Sequence, residues 1–332
     1  MKTNGRFSRP IASLVAGHAL AVFLLAPALV PDHAQAQTPP SEQKIPTLNG
    51  HTFTTTTELL DPFVRTTFRT VLGVGTTSSY PSSSITIGDS TIVTLAGDLL
   101  YANLGFQYQQ QIAPWLAMQF GTTILGRLGT GIKASLIEGV RASTTGGVGW
   151  LMRVLHTDKV YLSGELGVLN NSTTSMDPLG FINGVIEDDG VSDQNRLLTT
   201  TPTFLTTFGI RGAYGWTPLL GIIGFAQGFT GDSFDRNKTS ETYGEGGLGV
   251  DLNLHQQIGA PLSLVIGYTL KNYPDIGDPN KEVVHTNVLQ IAYLSPGGFL
   301  LSLDLTNQWV SRQQKKGNLH IVWPLLSLKY YF

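Results

Sequence analysis

The chain has no cysteine among its 332 residues. That absence excludes disulfide staples, thiolate nucleophiles, cysteine-ligated metals and a lipid anchor on a cysteine. Charge is also scarce: Asp, Glu, Lys and Arg make up 13% of the residues, about half the share found in ordinary globular proteins. Yet beyond residue 36 no apolar run approaches the roughly 20 residues that a membrane helix requires. A chain short of charge and short of hydrophobic blocks must spread its apolar side chains in alternation with polar ones. The net charge of −2 and the lack of a long Lys/Arg block leave no footprint for nucleic acid. The His-Glu-x-x-His pattern is missing as well, so neither a metal nor a cofactor is expected.

What is present begins with an address. Lys2, Arg6 and Arg9 precede an almost wholly apolar run from Leu14 to Leu25, and Ala34-Gln35-Ala36 comes after it. A cationic start, a short apolar core and small residues before a cut form an export signal. The apolar run is too short to span a bilayer, and Pro27 and Pro31 break the segment just beyond it. Residues 1–36 are therefore expected to be a signal peptide. Residues 37–62, rich in Thr, Pro and Gln, have no sustained period. They read as a periplasmic arm, with a short helix or a segment tucked into a barrel mouth, and the run Thr54 to Thr57 reads as plain extended chain.

From Val64 onward the hydrophobic pattern has period two, the mark of strands with one wet and one apolar face. Short turn signals at 112–114, 156–158, 216–218, 258–261 and 295–298 alternate with longer polar stretches at 76–91, 127–143, 171–200, 231–242, 273–284 and 311–318. Five short turns and six long loops join about twelve strands, an even number that brings both ends to one side. The strands are expected near 64–75, 92–110, 115–126, 144–155, 159–170, 201–215, 218–230, 243–255, 262–272, 285–294, 299–309 and 319–332. The fold class implied is all-β, a transmembrane antiparallel up-and-down barrel over residues 63–332 in outer-membrane lipid.

The faces follow from cost, since a charge facing lipid at mid-membrane costs roughly 2–4 kcal/mol. Leu248, Val250, Leu252 and Leu254 oppose Glu245, Gly247, Gly249, Asp251, Asn253 and His255; Leu301, Leu303 and Leu305 oppose Ser302, Asp304 and Thr306. On this rule Arg65, Arg69, Arg153, Glu165, Arg211, Glu245, Asp251, Lys271, Asp304 and Lys329 line the lumen, with Glu245, Asp251 and Asp304 expected to pair with Arg211, Lys271 and Lys329. Asp98 falls in phase with Leu100 and Leu104, which requires a bulge or a place above the membrane. The strands from Leu219 and His285 have mixed faces. Tyr108, Trp115, Trp150, Trp216, Tyr268, Tyr293, Trp309 and Tyr330 sit where interface girdles belong.

The terminal alternation Val322, Pro324, Leu326, Leu328, Tyr330, Phe332 resembles the last strand of bacterial outer-membrane β-barrels. In that class the residues Leu326, Leu328, Tyr330 and Phe332 would serve as the insertion signal read by the barrel-assembly machinery. Length and strand count are similar to the porin-like transporters of small solutes. The resemblance covers residues 64–332 and implies a place in the bacterial outer membrane.

Catalytic readings are weaker. Gly244 to Gly249 has the spacing of a dinucleotide fingerprint but enters a strand where a helix is required. Gly88-Asp89-Ser90 and Gly231-Asp232-Ser233 lack the partners of a lipase block. His285 and Asn287 face lipid as in outer-membrane phospholipases, but no serine stands at the needed spacing. Glu245, Asp251, His255 and Asp304 could do acid–base work in an omptin-like protease, although His255 lies at the periplasmic end. No catalytic residues are assigned, and an enzyme is not expected. The loop at 171–200 carries Asp177, Glu187, Asp188, Asp189 and Asp193 around an apolar Leu179–Ile182 patch, a solvated loop or a calcium site. Passage of small solutes, apolar or aromatic ones included, is the function expected; a hydrolase or a structural or adhesive barrel are the alternatives.

Overall fold

The computed structural model describes residues 45–80, 84–87, 90–94, 97–130, 139–187, 196–232, 240–272, 282–295, 297–312 and 319–332. The export signal and the loop acids Asp188, Asp189 and Asp193 lie outside them, as does Gly88-Asp89.

A two-residue pair, β1 (Thr47–Leu48) and β2 (His51–Thr52), opens the described chain, followed by β3 (Thr67–Tyr80) and the small hairpin β4 (Ser84–Ile87) and β5 (Ser90–Thr94). Then come β6 (Gly97–Ala113), β7 (Leu116–Gly129), β8 (Val140–His156), β9 (Val160–Met176), helix α1 (Pro178–Glu187), β10 (Leu198–Gly215), β11 (Leu220–Asp232) and β12 (Ser240–Asn253). A four-residue helix α2 (His255–Ile258) precedes β13 (Leu262–Lys271), β14 (Glu282–Leu294), β15 (Phe299–Arg312) and β16 (Leu319–Tyr331). Twelve of these strands, β3 and β6 to β16, form one closed antiparallel barrel, sealed where β16 pairs with β3. Closure leaves no edge with unpaired backbone groups, which is what allows strands to cross lipid.

Register places side chains directly opposite one another on the same face. Lys329 opposes Arg69, Ser327 opposes Val71, Gln290 opposes Asp304 and Glu245 opposes Lys271. The alternate set is exposed on the outside: Leu248, Ile266, Leu270, Ile291, Leu303, Leu326 and Leu328 form part of a continuous apolar surface. Trp115, Trp216, Tyr293, Tyr330 and Phe332 ring its short-turn end, all exposed. A closed barrel with an apolar outer belt and aromatic girdle belongs in a bilayer, and its even strand count and one-sided loops place it in the bacterial outer membrane.

The strands run further than hydrophobic alternation alone suggests. β9 continues to Met176 and β10 begins at Leu198, both inside the stretch expected to be loop. Thr-rich segments carry them there, because β-branched residues suit a pleated ladder without needing an apolar face. Thr174 and Thr200 share a hydroxyl hydrogen bond of 3.1 Å across that extension. Near Asp98 the pairing of β3 with β6 shifts register between Thr77 and Tyr80, a bulge at the place where strand phase is in conflict.

Candidate functional site

Residues 45–66 run inside the barrel through its short-turn half, packed against inward residues of the wall. The arm contains no helix among the described residues. It turns at Asn49-Gly50, both with positive φ, where Asn49 donates its backbone N–H to Asp158 and its amide to the Trp216 carbonyl at 2.9 Å. Glycine is required at position 50, since its φ of 76° and the nearby Pro218 ring, 3.3 Å from where a Cβ would be, both disfavour a side chain.

The four threonines are the latch, in contrast to their expected role as plain extended chain. Thr54 donates its backbone N–H and its hydroxyl to Asp251 Oδ2 at 2.6 and 3.1 Å. Its hydroxyl also meets that of Ser263 at 2.5 Å. The Thr55 carbonyl accepts from Arg69 and Gln290, both at 3.3 Å, and its hydroxyl from Lys329 at 3.2 Å. Thr56 turns the chain by accepting the N–H groups of Glu58 and Leu59. Thr57 repeats the Thr54 pattern on Asp304 Oδ2, at 2.6 and 2.8 Å. A carboxylate bonded by a backbone N–H and a hydroxyl is a charge-assisted contact, stronger than a neutral pair.

Apolar anchors alternate with these polar ones. Phe53 packs edge-on to His51, at a centroid distance of 4.6 Å, and against Phe63, which in turn meets Tyr161 at 4.9 Å. Leu59 packs with Ile223 and Val265, and Val64 with Ala117 and Leu151. Wall glycines make the room. A Cβ at Gly221 would lie 2.4 Å from His51, one at Gly215 2.3 Å from the Leu48 carbonyl, and one at Gly249 2.4 Å from Leu59. The false dinucleotide fingerprint is therefore a socket for Leu59.

Above the arm a cavity of about 290 Å³ remains, floored by Thr57, Leu59, Leu60 and Asp61 and walled mainly by β6 to β12. Arg211 bridges floor and wall: Nη2 lies 2.6 Å from Glu165, Nε donates to the same carboxylate, and Nη1 donates to the Asp61 carbonyl at 3.0 Å. Lys329 binds the Asp61 carboxylate. Gln119 donates to Gln109 at 2.7 Å, and Gln109 in turn donates to the Phe63 and Arg65 carbonyls. Gln107, on the inward face of β6, is exposed, so solvent reaches this side of the lumen.

The sequence-derived lumen set divides in three. Arg69, Arg211, Asp251, Asp304 and Lys329 are buried, and Glu165 joins them through Arg211. Glu245 and Lys271 oppose each other across β12 and β13. Arg65 and Arg153 are half-buried near the short-turn end, Arg65 just before β3 and Arg153 opposite Ser163 on β9. The expected pairing of acids with Arg211, Lys271 and Lys329 is not what forms at Asp251 and Asp304: both are taken by arm threonines, while Asp61 and Glu165 hold the cations. Sequence reading missed Asp61, Gln109, Gln119 and Gln290, and also Arg127 and Arg141, which oppose each other on β7 and β8. The arm acid stands outside any alternation, and uncharged glutamines carry no cost that fixes their side.

Among the described residues the catalytic constellations are not brought together. His255 starts α2 and is exposed at the short-turn end, whereas Asp251 and Asp304 are wholly buried and bonded to Thr54, Thr57 and Gln290. His285 Nδ1 is engaged by the Tyr268 hydroxyl at 2.7 Å. Among the described residues no group of three or more His, Asp or Glu side chains is placed to hold a metal.

No protein-family model matches the chain, and no curated protein matches it in sequence. Solved structures share its barrel shape. The COG4313 outer membrane channel from Pseudomonas putida F1 is 10% identical, with 84% of this chain and 100% of that chain covered and a TM-score of 0.49. The translocator domain of autotransporter NalP from Neisseria meningitidis is 11% identical over 97% of both chains, at 0.46. The Pseudomonas putida toluene transporter TodX is 9% identical over 81% and 90%, at 0.41. These are similarities of architecture, and no residue role follows from them.

Proposed function

We propose that the protein is an outer-membrane channel for passive or facilitated passage of small solutes, its periplasmic end narrowed by its own arm. The observation that carries this reading is the cavity above the arm, a water-reached space inside a closed barrel. Residues 1–36 direct export in this scheme, residues 37–62 supply the arm, and the terminal alternation to Phe332 engages the barrel-assembly machinery. Arg69, Arg211, Asp251, Asp304 and Lys329 then act less as a pore lining than as the holders of the arm; Glu165 and Glu245 face the solute, Arg65 and Arg153 lie toward the periplasmic mouth, and Lys271 supports Glu245. Among the described residues His255 and His285 are not joined to an acid–base partner set, and passage needs none.

The test is ion conductance of the refolded protein in planar bilayers, followed by addition of candidate solutes. Defined conductance steps, enlarged when residues 43–62 are deleted, are the expected result. Silence of both proteins, together with hydrolysis of phospholipid or peptide, would replace the channel with an enzyme.

A further inference from the structure

We infer that the cavity above the arm is a binding site for one small neutral solute rich in hydroxyl or amide groups, and that the arm supplies half of its selectivity. This rests on the channel reading and adds to it a cargo class.

Size comes first. Ligand sites usually enclose about 300–1,000 Å³, so a cavity of about 290 Å³ admits a single small molecule. Charge comes second. Three cations, Arg69, Arg211 and Lys329, and three acids, Asp61, Glu165 and Glu245, face the space. Arg211 is matched to Glu165 and Lys329 to Asp61. A ring that cancels in sign offers no net attraction to either ion class. Arg69 donates to the Ser327 hydroxyl and the Thr55 carbonyl, so an ion of either sign would have to leave water for charges that already have partners.

Hydrogen-bonding capacity comes third. Gln107 and Gln227 on the wall, with Thr123 and Thr145, present amides and hydroxyls that both donate and accept, while Gln119 is held by Gln109 and Arg211. Leu59, Leu60, Leu169 and Phe229 also line the space and can meet the C–H faces of a polyol, whereas a wholly apolar solute that displaced water from Gln107 and Gln227 would leave them without partners, which is costly. Hydroxyls on a polyol replace that water one for one. The apolar inward residues Tyr101, Trp323 and Leu325 of the other half are packed against one another to 4% exposure or less.

Asp61 makes the arm part of the selection. It neutralises Lys329 from the floor, as Glu165 neutralises Arg211 from the wall. Removing either acid leaves the same lining with one cation in excess.

Swelling of proteoliposomes with sorbitol, gluconate and N-methylglucamine tests this, the three being alike in size and differing in charge. The intact protein should admit sorbitol at least fivefold faster than either ion. Asp61→Asn and, independently, Glu165→Gln should each raise the gluconate rate severalfold while leaving N-methylglucamine slow. Glu165→Gln leaves the arm's own side chains untouched, so it separates lost selection from a loosened arm. Equal entry of an ion and sorbitol in the intact protein would overturn the inference, as would an unchanged ranking in Glu165→Gln. No swelling with any solute, in the intact protein and in the arm deletion alike, would count against the channel itself.

Discussion

Thr54 and Asp251 stand 197 residues apart in sequence and share two hydrogen bonds through one carboxylate oxygen. Asp251 is wholly buried, and the remaining contact to its side chain from the wall is Ser263, at 3.0 Å to the other oxygen. The arm brings a backbone N–H and a hydroxyl to this charge and sets His51 Nε2 3.7 Å from it, partners that help a buried charge to be tolerated. The wall thus depends on the arm as much as the arm on the wall.

Breaking that dependence should free the arm. Each hydrogen bond to a charged group contributes about 1.5–3 kcal/mol, and Asp251 and Asp304 accept four from the arm between them. The double change Asp251→Ala with Asp304→Ala should leave the barrel folded by heat-modifiable gel mobility, expose residues 45–62 to added protease and enlarge the conductance step. A protected arm in that variant would show that its apolar anchors suffice.

Those anchors can be tested at one contact. A Cβ at Gly249 would lie 2.4 Å from Leu59, so Gly249→Ala should dislodge Leu59 and loosen the arm. Leu59→Ala opens the same space from the other side. The two changes together should be less damaging than their sum by about 0.5–3 kcal/mol, the range seen for residues in contact, read from the denaturant midpoint for arm release. Simple additivity would mean that the glycine serves strand packing instead.

The contrast between wall and arm explains what the sequence discloses. All twelve strands were legible because lipid imposes a strict rule on one face, and Leu248, Val250 and Leu252 obey it. The lumen imposes none. Ile223 and Phe225 on β11 face inward yet are apolar, because Leu59 packs against them; this is why that strand reads as having mixed faces. The arm's own residues carry no period at all. Thr54 and Thr57 are set three apart to meet carboxylates on two different strands, a spacing that has meaning only once the barrel is closed. Repeated wall glycines at 215, 221, 247 and 249 were visible, but composition alone does not say whether a glycine leaves room for lipid, solvent or another segment of chain.

Insertion should depend on the two last residues unequally. Phe332 is exposed on the lipid side, whereas Tyr331 is buried inward beside Lys329. Phe332→Asp should sharply lower the amount of heat-modifiable protein in the outer membrane, and Tyr331→Phe should leave it close to normal, since the Tyr331 hydroxyl has no hydrogen-bond partner to lose. Equal levels of the two variants would detach the terminal alternation from assembly.

Solvent access within the lumen makes the sharpest test of the arm, in a chain with no native cysteine to interfere. Three positions differ in what covers them: Gln107 faces the cavity and is exposed, Ser263 lies under Thr54 and is wholly buried, and Ile266 is exposed toward lipid. A charged thiol reagent needs the thiolate, which forms in water and not against hydrocarbon. Gln107→Cys should therefore label quickly, while Ser263→Cys and Ile266→Cys label slowly for different reasons. Deleting residues 43–62 separates those reasons: Ser263→Cys should rise to a rate near that of Gln107→Cys, and Ile266→Cys should not change. Fast labelling of Ser263→Cys with the arm intact would mean that the arm leaves the lumen on the timescale of the reaction, and an unchanged slow rate after deletion would mean that the wall, not the arm, buries that position.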